Sequence, residues 1–466
     1  MCLVVLGACS NLAGPDYQRP ETPEKEAWSR APDPRVSPAT TVRRDWWTGF
    51  RDPYLDSLVD QAIAQGIDLR ILAARVDEAR AALGREQAAT QPTVRGSTEA
   101  ALTRSRPEVL PGEFADPVTS RQYSAQVSLS WELDIWGKLE KGVQAQQAGL
   151  RATEAEWRAG YLTLVSDVAE TYFLIRQLDE QRQQQEAALE KNRQILAILE
   201  RQLDNGIVPQ TRVLQQRAEV RDLEQQLLDL RRRRGVAENQ LATLVGVSAG
   251  NLKVPEAGLR ATVQPLQVPA GLPSDLLERR PDIVAAEYRV LQAHDLVGQA
   301  RLARLPSFSL TGEGGLASSV LSKLLKGFTL GLAPSIDIPI FDPETRTQVL
   351  VNEAQARTAE ERYRKTVLTA FEEVENALVN LAYRKDQRRV ITQQVEDLRV
   401  VDAQVRRQLD AGLVSQLELF ESERTLLAAE QRLLAVHQQI LTDTVTLYKA
   451  LGGGWPSAAV SRTTTQ

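Results

Sequence analysis

Residues Leu409 to Leu426 read LDAGLVSQLELFESERTL, and residues Leu203 to Val220 read LDNGIVPQTRVLQQRAEV. Each is a glycine set between two long helical patterns. Gly206 and Gly412 suit a left-handed residue that closes a helix, a conformation in which any Cβ crowds the following carbonyl. Pro209 and Ser415 then suit the start of the next helix. Each stretch therefore reads as the tip of a hairpin of two antiparallel helices. The two glycines lie 206 positions apart, so the chain reads as one unit made twice. A chance match of two helical hairpins is the competing reading, and the flanks disfavour it because they repeat too.

Outward from the first tip, Lys138 to Asp204 contains no proline and only three glycines, Gly142, Gly149 and Gly160. That is a single helix of about 67 residues, roughly 100 Å at 1.5 Å per residue, which predicts an elongated molecule. Gln210 to Val245 returns as a helix too short to match it. A second helix, Asp68 to Gln91 with Asp68 as its cap, supplies the difference if the two stack end to end beside the long one. The later copy repeats this with Pro281 to Leu305, a long helix from Thr345 to Asp410 and a return from Gln416 to Leu451.

Prolines end the shorter helices, at Pro92 and Pro306, and the periodicity then changes from 3.6 to 2. After a polar loop, Ala125, Val127, Leu129, Trp131, Leu133 and Ile135 share one face, while Ser124, Gln126, Ser128, Ser130, Glu132 and Asp134 share the other. A wholly apolar face backed by a polar one fits a strand with lipid on one side and water on the other. A strand of a soluble sandwich is the alternative; Trp131 and Trp136, near one end like an interfacial belt, favour the membrane. Four such strands are expected, at about 93–104, 123–135, 307–316 and 328–340, with Ala317 to Lys326 as a short loop and a bulge at Pro334. No run of 18 apolar residues exists, so spanning by a helix is not expected. Four strands cannot close a barrel, and an open edge is not tolerated in lipid. Closure must come from copies of the chain: two give a filled eight-stranded barrel, three a twelve-stranded one with room for water.

The fold class expected is thus mostly α with a membrane β part, a duplicated unit whose strands continue into long helices. Residues 1–8 read as a truncated signal segment. Leu6-Gly7-Ala8-Cys9 resembles a lipoprotein box, which makes Cys9 a lipidation site, and Ser10 after it suits outer-membrane sorting. No basic residues precede the apolar run, and the start codon is left open. Residues 9–44, rich in proline and polar side chains, read as a tether. Residues 45–248 form the first repeat, opening on the aromatic cluster Asp45-Trp46-Trp47-Thr48-Gly49-Phe50 and a helix from Pro53 to Gln65. Residues 249–273, with Val263, Leu266 and Val268 as strand material, form a collar segment. Residues 274–451 form the second repeat, opening on a short helix at Leu276 to Arg279, and 452–466 a flexible tail.

Composition excludes other classes. Net charge is −5, from 56 basic and 61 acidic residues mixed along the chain, so no basic block suits nucleic acid. The only cysteines are Cys2 and Cys9, and the only histidines His294 and His437. Beyond the N-terminus this leaves no disulfide or thiolate metal site, and each histidine reads as an ordinary surface or core residue. No phosphate-cradling GxxxxGK and no nucleophile paired with histidine stands out, so neither an enzyme nor a cofactor is expected. A coiled-coil envelope scaffold would use the long helices but has no need of the strands. A periplasmic adaptor would not duplicate its hairpin with strand pairs.

The residues that carry a family resemblance are CSNLAGPDYQRP from Cys9, DWWTGFRDPYLDSLV from Asp45, LSWELDIWGK from Leu129, LLERRPDIVAAE from Leu276, QARLARLPSFSLTG from Gln299, IDIPIFD from Ile336 and both tips. Together they make the sequence resemble the TolC/OprM outer-membrane factors, closest to their NodT-like lipoprotein branch. The resemblance implies a homotrimer with a twelve-stranded barrel in outer-membrane lipid and a periplasmic α-helical tunnel. It implies the exit duct of a tripartite exporter, with a periplasmic membrane-fusion adaptor and an inner-membrane pump of the proton-driven resistance-nodulation-division (RND) type as partners. A type I protein secretion duct stays open, and the cargo is not identified. It further implies that acidic residues just after the second tip ring the periplasmic aperture, and Glu418 and Glu421 match those positions. The repeat places Arg212 at the pseudo-equivalent of Glu418, where relatives can carry an acid, so Arg212 and Glu418 are expected to alternate around the mouth and help hold it shut. Gly206, Ile207, Val208, Gly412, Leu413 and Val414 offer an apolar tip surface for the adaptor. Local packing of helix ends is the alternative for those apolar residues, and solvated first-turn acids the alternative for Glu418 and Glu421.

Overall fold

The computed structural model describes residues 45–262 and 279–453, together with Gly14, 17–22, Lys25 and 27–29. The chain divides into two compact units, one of Met1–Glu21, Val76–Thr153 and Ala285–Tyr363, the other of Thr22–Arg75, Glu154–Val284 and Arg364–Gln466. Cys9, the signal segment, the expected strand material at 263–268, the short helix read at Leu276–Arg279 except Arg279 itself, and all of the tail beyond Gly453 lie outside the described residues.

The first unit holds the strands. β1 (Thr93–Ser105) follows the break at Pro92, β2 (Glu108–Leu110) and β3 (Glu113–Phe114) form a small hairpin in the intervening loop, and β4 (Val118–Leu133) returns. β5 (Ser307–Ser318) follows Pro306, and β6 (Phe328–Asp337) closes the series. The four long strands form one antiparallel sheet in the order β1-β4-β5-β6. Its register puts Val94 opposite Leu129, Leu129 opposite Gly312 and Gly312 opposite Leu332. Partners across an antiparallel ladder share a face, so Gly96, Val127, Gly314 and Leu330 lie in the next row on that same face. The opposite face carries Ser97, Gln126, Gly315 and Thr329 in one row, and Arg95, Ser128, Glu313 and Gly331 in the next. Val94, Val127, Phe328, Leu330 and Leu332 are all exposed. A sheet with one bare aliphatic face and one polar face is what lipid outside and water inside require.

The expectations for this unit need four corrections. β4 starts at Val118 rather than near 123, because pairing with β1 continues through Thr119–Gln122, and it ends at Leu133, where Ile135 N–H bonds back to the Leu133 carbonyl. β5 continues to Ser318, and the loop after it contains a 3-10 turn at Leu321–Lys326. β6 stops at Asp337 instead of 340. Pro334 makes no bulge: it sits in register opposite Leu310. β6 is an edge strand of this sheet, and there a proline can turn its missing donor away from the ladder.

The second unit holds the hairpin tips and an aromatic core. A 3-10 turn (Trp46–Phe50) leads into α1 (Pro53–Gln65), capped by Asp52, whose carboxylate accepts from Tyr54 N at 3.0 Å and Leu55 N at 3.4 Å. Trp46 stacks on Tyr448 at 5.0 Å and Phe50 meets Phe173 edge-on at 5.0 Å, so the segment Trp46–Phe50 is packed against both repeats. Gly66 separates α1 from α2 (Ile67–Ala89), so Asp68 lies in the first turn and is not the cap. α3 (Lys138–Asp204) and α4 (Gln210–Leu244) form the first hairpin. After α5 (Leu259–Thr262) come α6 (Pro281–Leu302), α7 (Pro343–Asp410) and α8 (Gln416–Ala450), the last two forming the second hairpin.

The duplication shows in backbone detail. α4 ends on Gly246 at φ +76°, where a Cβ would meet the Gln65 carbonyl at 2.4 Å, so the end of α4 abuts the start of α2. Its counterpart Gly452, at φ +83°, meets the Arg279 carbonyl at 3.0 Å, so α8 likewise abuts the start of α6. The short helices thus extend the return helices end to end. Ion pairs repeat as well: Arg193–Glu224 at 2.7 Å in the first hairpin becomes Arg399–Glu430 at 2.6 Å in the second.

The deepest polar cluster of this unit clasps residues 253–260 to the first hairpin. Asp179 is fully buried, receives Arg234 Nε at 2.5 Å and lies 3.4 Å from Ala257 N. Arg234 also donates to the Val254 carbonyl at 2.8 Å, and Val254 N donates to Glu238 at 2.9 Å. Alongside, Arg176 donates to the Tyr172 hydroxyl at 2.7 Å, and Tyr172 in turn to Asp52 at 2.5 Å. Burial first, then the carboxylate of Asp52, pushes the Tyr172 phenol well above its ordinary range.

Candidate functional site

The two tips have the same backbone. Gly206 (φ +68°) and Gly412 (φ +72°) close α3 and α7 in the left-handed conformation, with open space around each. Ile207 N bonds to the Gln202 carbonyl at 2.8 Å and Gly206 N to Leu203 at 2.9 Å; Leu413 N to Gln408 and Gly412 N to Leu409 match these at 2.8 and 2.9 Å. These paired six-to-one and five-to-two bonds satisfy the last carbonyls and reverse the chain within a few residues. The reversal leaves Ile207 and Leu413 exposed, with Val208 and Val414 half-buried behind them.

The helices that leave the tips differ. α8 starts at Ser415, whose N–H and hydroxyl reach the Glu418 carboxylate at 3.4 and 3.2 Å, the glutamate's share of a capping box. α4 starts at Pro209 with no acid in its first turn, and Arg212 occupies the matching position. Glu418 therefore does local work as a helix cap, a role that the Ser415-x-x-Glu418 spacing announces and that charge alone does not. Glu421 is exposed and pairs with Arg424 at 3.2 Å. Arg212 is half-exposed and makes no ion pair among the described residues.

A few turns from the tips the charges are inverted between copies. Arg217 pairs with Glu200 at 2.8 Å in the first hairpin; Glu423 pairs with Arg406 at 2.5 Å in the second, with each charge exchanged. Asp402 also approaches Arg406, at 3.3 Å. Burial pushes the Glu423 carboxyl up, and the Arg406 guanidinium opposes this.

At the strands, Trp131 Nε1 donates to the Thr90 carbonyl at 2.9 Å and Trp136 Nε1 to the Pro306 carbonyl at 2.7 Å. Both indoles thus tie strand ends to the places where prolines break the preceding helices. His294 packs edge-on against Tyr17 at 5.9 Å and His437 is half-buried, and burial lowers the pKa of each. Among the described residues no group of three His, Cys, Asp or Glu is arranged to hold a metal ion, and no helix is long and apolar enough to cross a membrane. The repeated features are a bare aliphatic sheet face and two exposed hairpin tips.

Known proteins share this arrangement. The outer membrane efflux protein family model matches residues 58–247 and 272–453. The chain is 32% identical to the cation efflux system protein CusC of Escherichia coli (strain K12) over 459 residues, 97% of each chain. It is 31% identical to the solvent efflux pump outer membrane protein SrpC of Pseudomonas putida over 463 residues, again 97% of each. Among solved structures, a CusC crystal structure superposes with a TM-score of 0.82 at 29% identity, covering 94% of this chain and 99% of that one. The outer-membrane channel OprN superposes at 0.83 and 27%, covering 95% and 99%.

Proposed function

The chain belongs to the outer membrane efflux protein family, and from that premise we propose that it works as a homotrimer whose tips meet a periplasmic adaptor serving an RND-type pump. It is an outer-membrane efflux channel that extends into the periplasm. The observation that carries the trimer is the sheet: four strands with one aliphatic face and two open edges, β1 and β6, need neighbours in lipid, and three copies give the smallest barrel with an aqueous interior. Small molecules or ions are the cargo class that the similarity to cation and solvent efflux proteins supports.

In this reading the tips carry two roles. Gly206, Ile207, Val208 and their counterparts Gly412, Leu413 and Val414 form the adaptor surface. Glu418 and Glu421 line the aperture, with Arg212 of the other hairpin between them, and Trp131 and Trp136 mark the membrane boundary. Exposed ion pairs contribute only about 0–1 kcal/mol each and weaken with salt, so closure by Arg212 and Glu418 needs all copies acting together. Cys9 is the proposed lipid anchor.

Host cells lacking the chain are expected to accumulate a fluorescent efflux dye, and the wild-type chain to reverse this. A Gly206→Trp, Gly412→Trp variant should fail to reverse it while assembling to the same trimer yield, since the strain of a side chain at these left-handed positions, about 1–2 kcal/mol each, stays at tips with open space around them. Dye export at the wild-type rate would remove the tips as the docking surface.

A further inference from the structure

The aliphatic face of the sheet is charged at one end only. Among the described residues of the four strands it holds no carboxylate, whereas the polar face carries Glu99, Glu132, Glu313 and Asp337. Its charges are Arg104, opposite Thr119, and Arg121, opposite Leu102. The two are diagonal neighbours, about 7–8 Å apart across the ladder, and Tyr123 lies two residues inward on the same face. All four strands join helices at the other end, beside Trp131 and Trp136. The arginine end is therefore the one turned away from the periplasm.

The loop between β5 and β6 adds to this end. Ser318 lies opposite Tyr123 on the aliphatic face, and its hydroxyl accepts from Val320 N at 3.1 Å. The chain thus turns toward that face: Leu316, Ser318 and Tyr123 are half-buried, while Ala317 on the polar face is exposed. The 3-10 turn Leu321–Lys326 packs against β4 and β5 and leaves Leu321 62% and Leu325 82% exposed, with Lys323 and Lys326 exposed beside them. Leucines and lysines in one short turn suit the boundary between acyl chains and headgroups, where each ammonium reaches outward. The carboxylates of the β1–β4 loop, Glu108, Glu113 and Asp116, form no ion pair with these basic residues among the described residues, and Glu108 accepts instead from Gly112 N at 2.7 Å.

Arg121 stands ten residues beyond Trp131. At about 3.3 Å per residue and a strand tilt of roughly 35–45°, that is about 25 Å along the membrane normal, the height of the apolar band of such barrels. Building on the reading that this face meets lipid, we propose that Arg104, Arg121, Lys323 and Lys326 bind the headgroup phosphate of an anionic lipid in the outer leaflet. The arginine forks match phosphate oxygens two at a time. The lysines add charge at the rim, and Leu321 and Leu325 seat among the acyl chains. With no carboxylate on this face of the strands, nothing there repels the anion.

Full-length protein reconstituted in phosphatidylcholine vesicles tests this, with spin-labelled phosphatidic acid and spin-labelled phosphatidylcholine as separate probes. Electron spin resonance reads the fraction of each probe immobilised against the protein. The wild type should hold phosphatidic acid at least about twofold over phosphatidylcholine. Arg104→Gln, Arg121→Gln, Lys323→Gln and Lys326→Gln combined should bring that ratio near one, with the phosphatidylcholine fraction unchanged. The two arginine changes alone, or the two lysine changes alone, should lower it part of the way, which decides the matter if the combined variant does not incorporate. Arg95→Gln, on the polar face, should leave the ratio as it is. Equal fractions of the two probes in the wild type, a ratio that survives these changes, or one that falls equally with Arg95→Gln would overturn the site. No immobilised phosphatidylcholine in the wild type would instead overturn the lipid-facing sheet on which the site rests.

Discussion

Asp179→Ala is expected to destabilise the folded chain by about 1–3 kcal/mol, because it leaves Arg234 Nε without its acceptor and takes a counter-charge from the buried Arg176, while Arg234 keeps Glu238 at 2.8 Å. Asp179 has no exposed surface and accepts a hydrogen bond from Arg234 Nε at 2.5 Å, with Arg176 a further neighbour at 3.9 Å. Ala257 N also lies 3.4 Å from the Asp179 carboxylate, so the change removes one of the ties on residues 253–260 as well as the ion pair. The check is a denaturant or thermal unfolding series followed by circular dichroism. Adding Arg234→Leu should deepen the loss, since it takes from the buried Glu238 carboxylate the guanidinium it holds at 2.8 Å. A single-variant loss below about 1 kcal/mol would place the pair among ordinary surface contacts.

Leu330→Arg is expected to prevent stable insertion of the strands, while Thr329→Arg, one residue away, is tolerated. Leu330 is 84% exposed on the aliphatic face, in the row of Val127 and Gly314, and Thr329 points to the polar face. An arginine on the lipid side of a barrel costs about 2–4 kcal/mol near the bilayer midplane, and less toward its edges. In a trimer the cost is incurred once per copy. Fractionation of cells into inner and outer membranes reads the difference. Equal outer-membrane yields for the two variants would mean that the aliphatic face does not meet lipid.

The long helices were legible because their signals are local and strong: proline-free runs, closing glycines at 206 and 412, and starts at Pro209 and Ser415. The period-two stretches were legible for the same reason. Strand ends were not, because Thr119–Gln122 of β4 are held by hydrogen bonding to β1 and carry no aliphatic alternation. Pro334 reads as a bulge in the sequence because a proline's cost depends on which way its missing donor faces in the ladder, which only the register opposite Leu310 shows. The clasp around Asp179 was invisible, since Asp179 and Arg234 are 55 positions apart and neither is unusual alone. At the tip, Glu418 was noticed for its charge, whereas Ser415 three residues before it carried the capping signal. The exchanged pair Glu200–Arg217 and Arg406–Glu423 could have been found by aligning the two copies beyond the tips.

Single-channel recording in a planar bilayer tests most directly whether this chain forms a water-filled duct narrowed at the hairpin tips. The purified protein should give small, stable, cation-preferring steps. Glu418→Gln, which keeps an acceptor for Ser415 but removes the charge, should give larger steps with weaker cation preference. A folded trimer whose steps keep their size and selectivity after this change would contradict the aperture, and one that gives no steps in either form would contradict the duct.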